Sequence, residues 1–202
     1  MTNTIKIAHK AMKSNIIKIT CLCILVTGLA VVTTNKTQAQ QKEVREAQSL
    51  YRQVKRAREN GRLFESISEL NKTGLRMPLI GTYNRIERYF YKLTVEKKTI
   101  LRTILVKIER NNIRYNQEFL FNLAGEPVYI FESQNDFKKY KYRTLKIYYN
   151  KDKPVQWVKG RAVIDGRFLK KEHLVRVEEL LNKAKKYYQK YKIQVKGIEQ
   201  LK

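Results

Sequence analysis

The chain of 202 residues carries 43 Lys plus Arg against 18 Asp plus Glu, a formal net charge of +25. With 43% hydrophobic residues it has material for a core, which excludes a disordered basic tail. The length fits one domain plus a processed segment rather than a multidomain machine. Such a charge predicts affinity for polyanions without naming one.

The first residues present Lys6, Lys10, Lys13 and Lys18 with no acid, then an apolar run from Ile19 to Val32, then TTNKTQAQ. A basic start, an apolar centre and small residues before a cut predict a secretory signal peptide over 1–39, cleaved after Ala39 with Thr37 as the other small residue. The protein is therefore expected to be exported, to the periplasm or the extracellular space. Met12 offers a second start of more ordinary proportions, and both starts stay open. The apolar run is shorter than the roughly 20 residues of a transmembrane helix. Cys21 and Cys23 lie too near its beginning for lipid attachment. Cleavage would remove five lysines and no acid, together with both cysteines and His9. The segment 40–202 would then have no disulfide, thiolate metal site or cysteine nucleophile.

In 41–60, Val44, Ala47, Tyr51 and Val54 fall on one helical face, and Gly61 supplies a C-terminal cap. Leu63, Phe64, Ile67 and Leu70 continue the helical spacing, so 40–74 is predicted helical, followed by the loop GLRMPLIG. Beyond it the period shortens to two. RIERYFYKLTV (85–95) and TILVKIE (103–109) read as strands joined by a charged turn near Glu96 to Thr99. Two hairpins of one design come next: EFLFNLAGEPVYIF (118–131), turning around Asn122 and Gly125, and LKIYYNKDKPVQWV (145–158), turning around Asn150 and Asp152. In 169–192, Leu174, Val177, Leu181, Ala184, Tyr188 and Tyr191 form an amphipathic helix stripe. The tail KIQVKGIEQLK is expected to add a terminal strand or stay loose. The order predicts an α+β fold: an antiparallel meander of about 5–6 strands in 84–160, flanked by N-terminal and C-terminal amphipathic helices that cover one sheet face.

Catalytic chemistry is sparse in 40–202. His173 stands alone at the start of the last helix, without the partners a triad needs. One histidine and no cysteine argue against a zinc site. Glu118 and Glu132 are the carboxylates that could form a glycosidase-type pair if the fold brought them together. Glu178 and Glu179 read as helix surface, and Asp165-Gly166 as a turn. No glycine-rich phosphate loop occurs, and no cofactor is implied. One segment does suggest binding. Lys138, Lys139, Lys141, Arg143 and Lys146 alternate with Tyr140, Tyr142, Tyr148 and Tyr149, a pattern that suits phosphates and stacked rings, although a half-exposed strand uses the same residues.

The paired motifs YN-KDKPVQWV and FN-LAGEPVYIF, preceded by RYFY, resemble small exported bacterial α+β proteins built from aromatic-rich β-hairpins. The similarity covers roughly 85–160, and the second copy departs from it at Lys153, where a turn glycine is usual. What the resemblance implies is an envelope location and no catalytic residue to carry across. The expectation is thus a non-catalytic exported envelope protein that binds a macromolecular partner through its sheet. The alternative is an electrostatic binder of an anionic envelope polymer, a lipid headgroup or extracellular nucleic acid. Export argues against chromosomal DNA as the target.

Overall fold

The computed structural model describes Gln38, 40–78, 81–137 and 141–199. Contacts separate Met1–Lys42 from Glu43–Lys202; of the first segment only Gln38 and 40–42 are described, all helical. The expected signal peptide and its cut after Ala39 lie outside the described residues.

Helix α1 spans 40–59. It buries Val44, Ala47 and Val54, the stripe that the 3.6 period predicts. Gly61 closes it with φ +66°, and the Arg62 N–H donates to the Ala57 carbonyl at 2.8 Å.

The helical expectation for 63–70 is corrected. Phe64–Leu70 is strand β1, paired with Tyr91–Arg85 of β3. Its apolar residues sit three apart because β1 is a sheet edge with no buried face. Phe64, Ile67 and Leu70 all remain exposed, so packing imposes no alternation on them. The short β2, Arg76–Met77, pairs with the start of β3, Gly81–Leu93. β4 (Thr99–Arg110), β5 (Ile113–Phe121), β6 (Pro127–Asp136), β7 (Lys141–Asn150), β8 (Lys153–Lys159) and β9 (Ala162–Asp165) follow. All pairings are antiparallel, in the order β1-β3-β4-β5-β6-β7-β8-β9. Eight strands in line, with β2 beside β3, exceed the predicted count. The additional strands are β1, β2 and β9, which are short or exposed.

Both hairpins of common design are present. The β5–β6 turn is closed by Asn122, whose Oδ1 accepts from the Glu126 N–H at 2.9 Å, and Gly125 takes φ +80° beneath the Tyr188 side chain. The β7–β8 turn runs through Lys151 and Asp152, both at positive φ. Without a glycine, this turn places two side-chain-bearing residues in the left-handed region.

After β9, Asp165 accepts the Arg167 N–H and opens a 3₁₀ turn, Gly166–Phe168. Helix α2 then runs from Lys171 to Glu199. It passes the predicted end at 192, and the tail as far as Glu199 is helix rather than strand or loose chain. Val195, four residues after the buried Tyr191, continues the apolar stripe and holds the extension. Leu174, assigned to that stripe by spacing, is exposed, whereas Leu180 and Tyr187 are buried.

The expectation that both helices cover one face is also corrected. Tyr89, Ile104, Phe119, Ile130, Ile147 and Trp157 pack with Val177, Leu180, Ala184, Tyr187 and Tyr191 of α2. Leu120, Tyr129, Tyr148 and Val155 pack with Val44, Ala47 and Val54 of α1. Phe119 and Leu120 are neighbours on one strand, so they face opposite ways. The helices therefore lie on opposite faces, and the central strands are apolar on both.

Candidate functional site

Among the concavities that the described residues line, three differ in the charge of their walls. The first lies beside α1. Ser49, Arg52, Gln53, Arg56, Ala57 and Asn60, on one side of the helix, join Arg62 from the following turn and Lys92 from the end of β3 around a cavity of about 600 Å³. Four cations line it and no carboxylate does. Among the described residues none of the four forms an ion pair, while the acids nearby are already engaged. Glu59 is with Lys55, Glu65 with Arg88 at 3.3 Å, and Glu118 with Arg58 at 3.1 Å. The C-terminal end of the helix dipole favours Arg56. It does not account for Arg62 and Lys92, which other elements bring to the same place. Arg52 and Arg56, four apart, repel each other along the helix.

The second concavity, about 440 Å³, lies on the same sheet face between Ile86, Arg88, Leu105, Lys107, Asn116, Glu118 and Phe131. Glu118 is buried at its border. Its carboxylate accepts from Arg58 at 3.1 Å and Tyr51 at 3.3 Å, and the Arg58 guanidinium also stands 5.6 Å from the Phe90 ring centre. Desolvation pushes the Glu118 carboxyl above its ordinary range, more than Arg58 and Tyr51 pull it down. Two ligands from α1 thus hold it as a fastener between helix and sheet.

The third, about 390 Å³, lies on the other face at the N-terminal end of α2. Arg143, Leu145, Trp157, Lys159, Glu132, His173 and Arg176 are among its walls. Glu132 is fully engaged: Arg176 contacts both of its oxygens at 2.6 Å, and Gln117 Nε2 donates to it at 2.6 Å. His173 Nδ1 accepts the Lys170 N–H at 3.3 Å, and its ring lies 5.1 Å from that of Trp157.

The pair Glu118 and Glu132 is not brought together. Glu118 lies opposite Phe131 in the register and faces α1, whereas Glu132 faces α2. The basic-aromatic segment is divided in the same way. Lys138, Lys139 and Tyr140 lie outside the described residues, and Lys141 opens β7. Tyr142 and Lys146 share the α1 side with Tyr148, and Arg143 shares the α2 side with Leu145. Strand alternation therefore separates Arg143 from Tyr142 and Lys146. The cationic groove beside α1 escaped the sequence reading. Arg52 and Arg56 at helical spacing are a visible signal, but the contribution of Lys92 depends on strand pairing that sequence does not display.

Among the described residues no group of His, Cys, Asp and Glu is placed to hold a metal, and no helix is long and apolar enough to cross a membrane. Compared with protein-family models, curated proteins and solved structures, the chain matches none.

Proposed function

We propose that this is an exported, non-catalytic protein that binds an anionic polymer through the groove of Arg52, Arg56, Arg62 and Lys92. The observation that carries the reading is their convergence from three parts of the chain without a carboxylate among them. Four like charges in one concavity cost the free protein repulsion, and a repeating anion removes that cost by displacing condensed counterions. The non-catalytic character rests on the separation of Glu118 from Glu132 and on the engagement of Glu132 by Arg176 and Gln117.

The test is a salt titration of binding to inorganic polyphosphate. Four contacts, at about 0.7 in log–log slope each as for single strands, correspond to roughly 50-fold weaker binding between about 50 and 200 mM salt. Arg52→Glu combined with Lys92→Glu is expected to flatten that slope. Affinity indifferent to salt, or to these reversals, would remove the reading.

A second reading, a protein partner docked on the sheet, draws on β1. This edge exposes Phe64, Ile67 and Leu70 and has none of the lysines or prolines that usually blunt an edge strand. It predicts that a stoichiometric protein is retained from an envelope fraction at moderate salt and lost with Ile67→Lys.

A further inference from the structure

The cleft at the start of α2 is built from groups whose charges do not cancel locally. Arg176 and Gln117 occupy Glu132, so this carboxylate offers nothing further to a ligand. Glu172 stands at the border, with its carboxylate 4.0 Å from His173 Nε2. Arg143 and Lys159, on adjacent strands β7 and β8, are exposed, and among the described residues neither has an ion-pair partner.

His173 adds a third donor. Its Nδ1 accepts from the Lys170 N–H, so the neutral ring carries its proton on Nε2. The ring is fixed from its other side by Trp157. Trp157 and Leu145, both buried in the larger core, form the apolar wall. The cleft therefore combines two cations without ion-pair partners, an imidazole N–H with Glu172 at its far side, a spent acid in Glu132 and an indole-backed floor. Its volume of about 390 Å³ falls within the common range for small-ligand sites and exceeds what a bare inorganic ion requires.

We propose that this cleft is a binding site for a small organic anion, a carboxylate or phosphate ester. The oxyanion lies between Arg143, Lys159 and His173 Nε2, and the organic body lies against Trp157 and Leu145. Arg176 serves as a positioning residue by withdrawing Glu132 from the ligand. The site is on the opposite sheet face from the α1 groove and shares no residue with it, so either assignment stands without the other.

The chain contains one tryptophan, Trp157, so fluorescence excited at the red edge, where the tyrosines do not absorb, reports on this cleft. The experiment titrates the full chain with phenyl phosphate, benzoate, inorganic phosphate and neutral benzyl alcohol, with calorimetry as a second readout free of ligand absorbance. Saturable binding of phenyl phosphate or benzoate is expected, at least tenfold tighter than inorganic phosphate or benzyl alcohol. Arg143→Gln and Lys159→Gln, both at exposed positions, should each weaken it about tenfold while leaving the unfolding transition in place. Arg52→Glu should have no effect. Absence of saturable binding overturns the proposal, as does equal affinity for inorganic phosphate or binding indifferent to both strand substitutions.

Discussion

Lys190 Nζ on α2 donates to Glu87 Oε2 on β3 at 2.7 Å, joining residues 103 positions apart in the chain. Glu87 has only 4% of its side chain exposed and also accepts from Tyr89 Oη at 2.5 Å and pairs with Arg85 at 2.5 Å. The buried carboxylate is therefore surrounded by donors from both layers. It ties α2 to the sheet where Tyr89 and Tyr191 stack.

Removing the acid strands two cations that were placed to meet it. Glu87→Ala is expected to cost about 1–3 kcal/mol in urea unfolding, the range for leaving hydrogen-bonded partners unsatisfied, because Arg85 and Lys190 are themselves partly exposed and water screens the charges left behind. Glu87→Leu with Lys190→Met removes both partners and should recover part of that loss. A single substitution that leaves stability unchanged would show that the node carries no weight.

The two buried glutamates should have opposite pH signatures. Burial pushes Glu87 up, but hydrogen bonds from Lys190 and Tyr89, and the charge of Arg85, hold it below its ordinary value. Its contribution is present above the unfolded value, about 4.3, and is lost as pH falls through the lower folded value. Glu118 is held above its ordinary value by desolvation. Its contribution is present below the unfolded value and is lost as pH rises through the folded one. Thermal unfolding across acidic to neutral pH should show a shallower acid-side loss in Glu87→Gln and a shallower decline with rising pH in Glu118→Gln.

Two glycines separate backbone contact from backbone conformation. A Cβ on Gly166 would meet the carbonyl of Pro154, main chain that cannot swing aside. Gly166→Ala is expected to destabilise by about 1–3 kcal/mol, as overpacking does. Gly160 has open space around it but φ +60°, so Gly160→Ala should cost about 1–2 kcal/mol from conformation alone. Restoring room by Pro154→Gly should rescue neither, because the first obstacle is a main-chain atom.

The cationic groove trades stability for charge. Arg52→Glu turns a repulsive pair with Arg56 into an attractive one in the favoured orientation, and is expected to stabilise the free protein by about 0.5–1 kcal/mol. The same substitution should weaken polyphosphate binding. Calorimetric melting beside a binding titration checks both directions; a loss in both would mark a folding defect instead.

The elements with one buried stripe were legible from sequence. Val44, Ala47 and Val54 announce α1 because it buries one face and periodicity records it, whereas β5 to β8, buried on both faces, are announced by their turn residues and aromatic strands. β1 left no such record, since an edge strand exposed on both sides is free of alternation. The side of the sheet that each helix covers was also not legible. Strands buried on both faces read as unbroken apolar runs such as Phe119-Leu120-Phe121, and a continuous run does not reveal that two layers compete for it. The candidate sites were harder still. Arg143 and Lys159 are joined by strand register, and Lys92 reaches α1 only through the order of the sheet.

The sheet acts as a wall between two interiors. Phe119 belongs to the core under α2 and its chain neighbour Leu120 to the core under α1. Adjacency in sequence therefore does not amount to energetic coupling. Cavities opened at these two positions should sum without interaction, although the residues share a peptide bond, whereas Phe119 and Tyr187, 68 positions apart with rings at 5.2 Å, should behave as one unit. Tolerance of this chain to mutation is thus partitioned by the face a side chain points to rather than by the stretch of sequence it occupies.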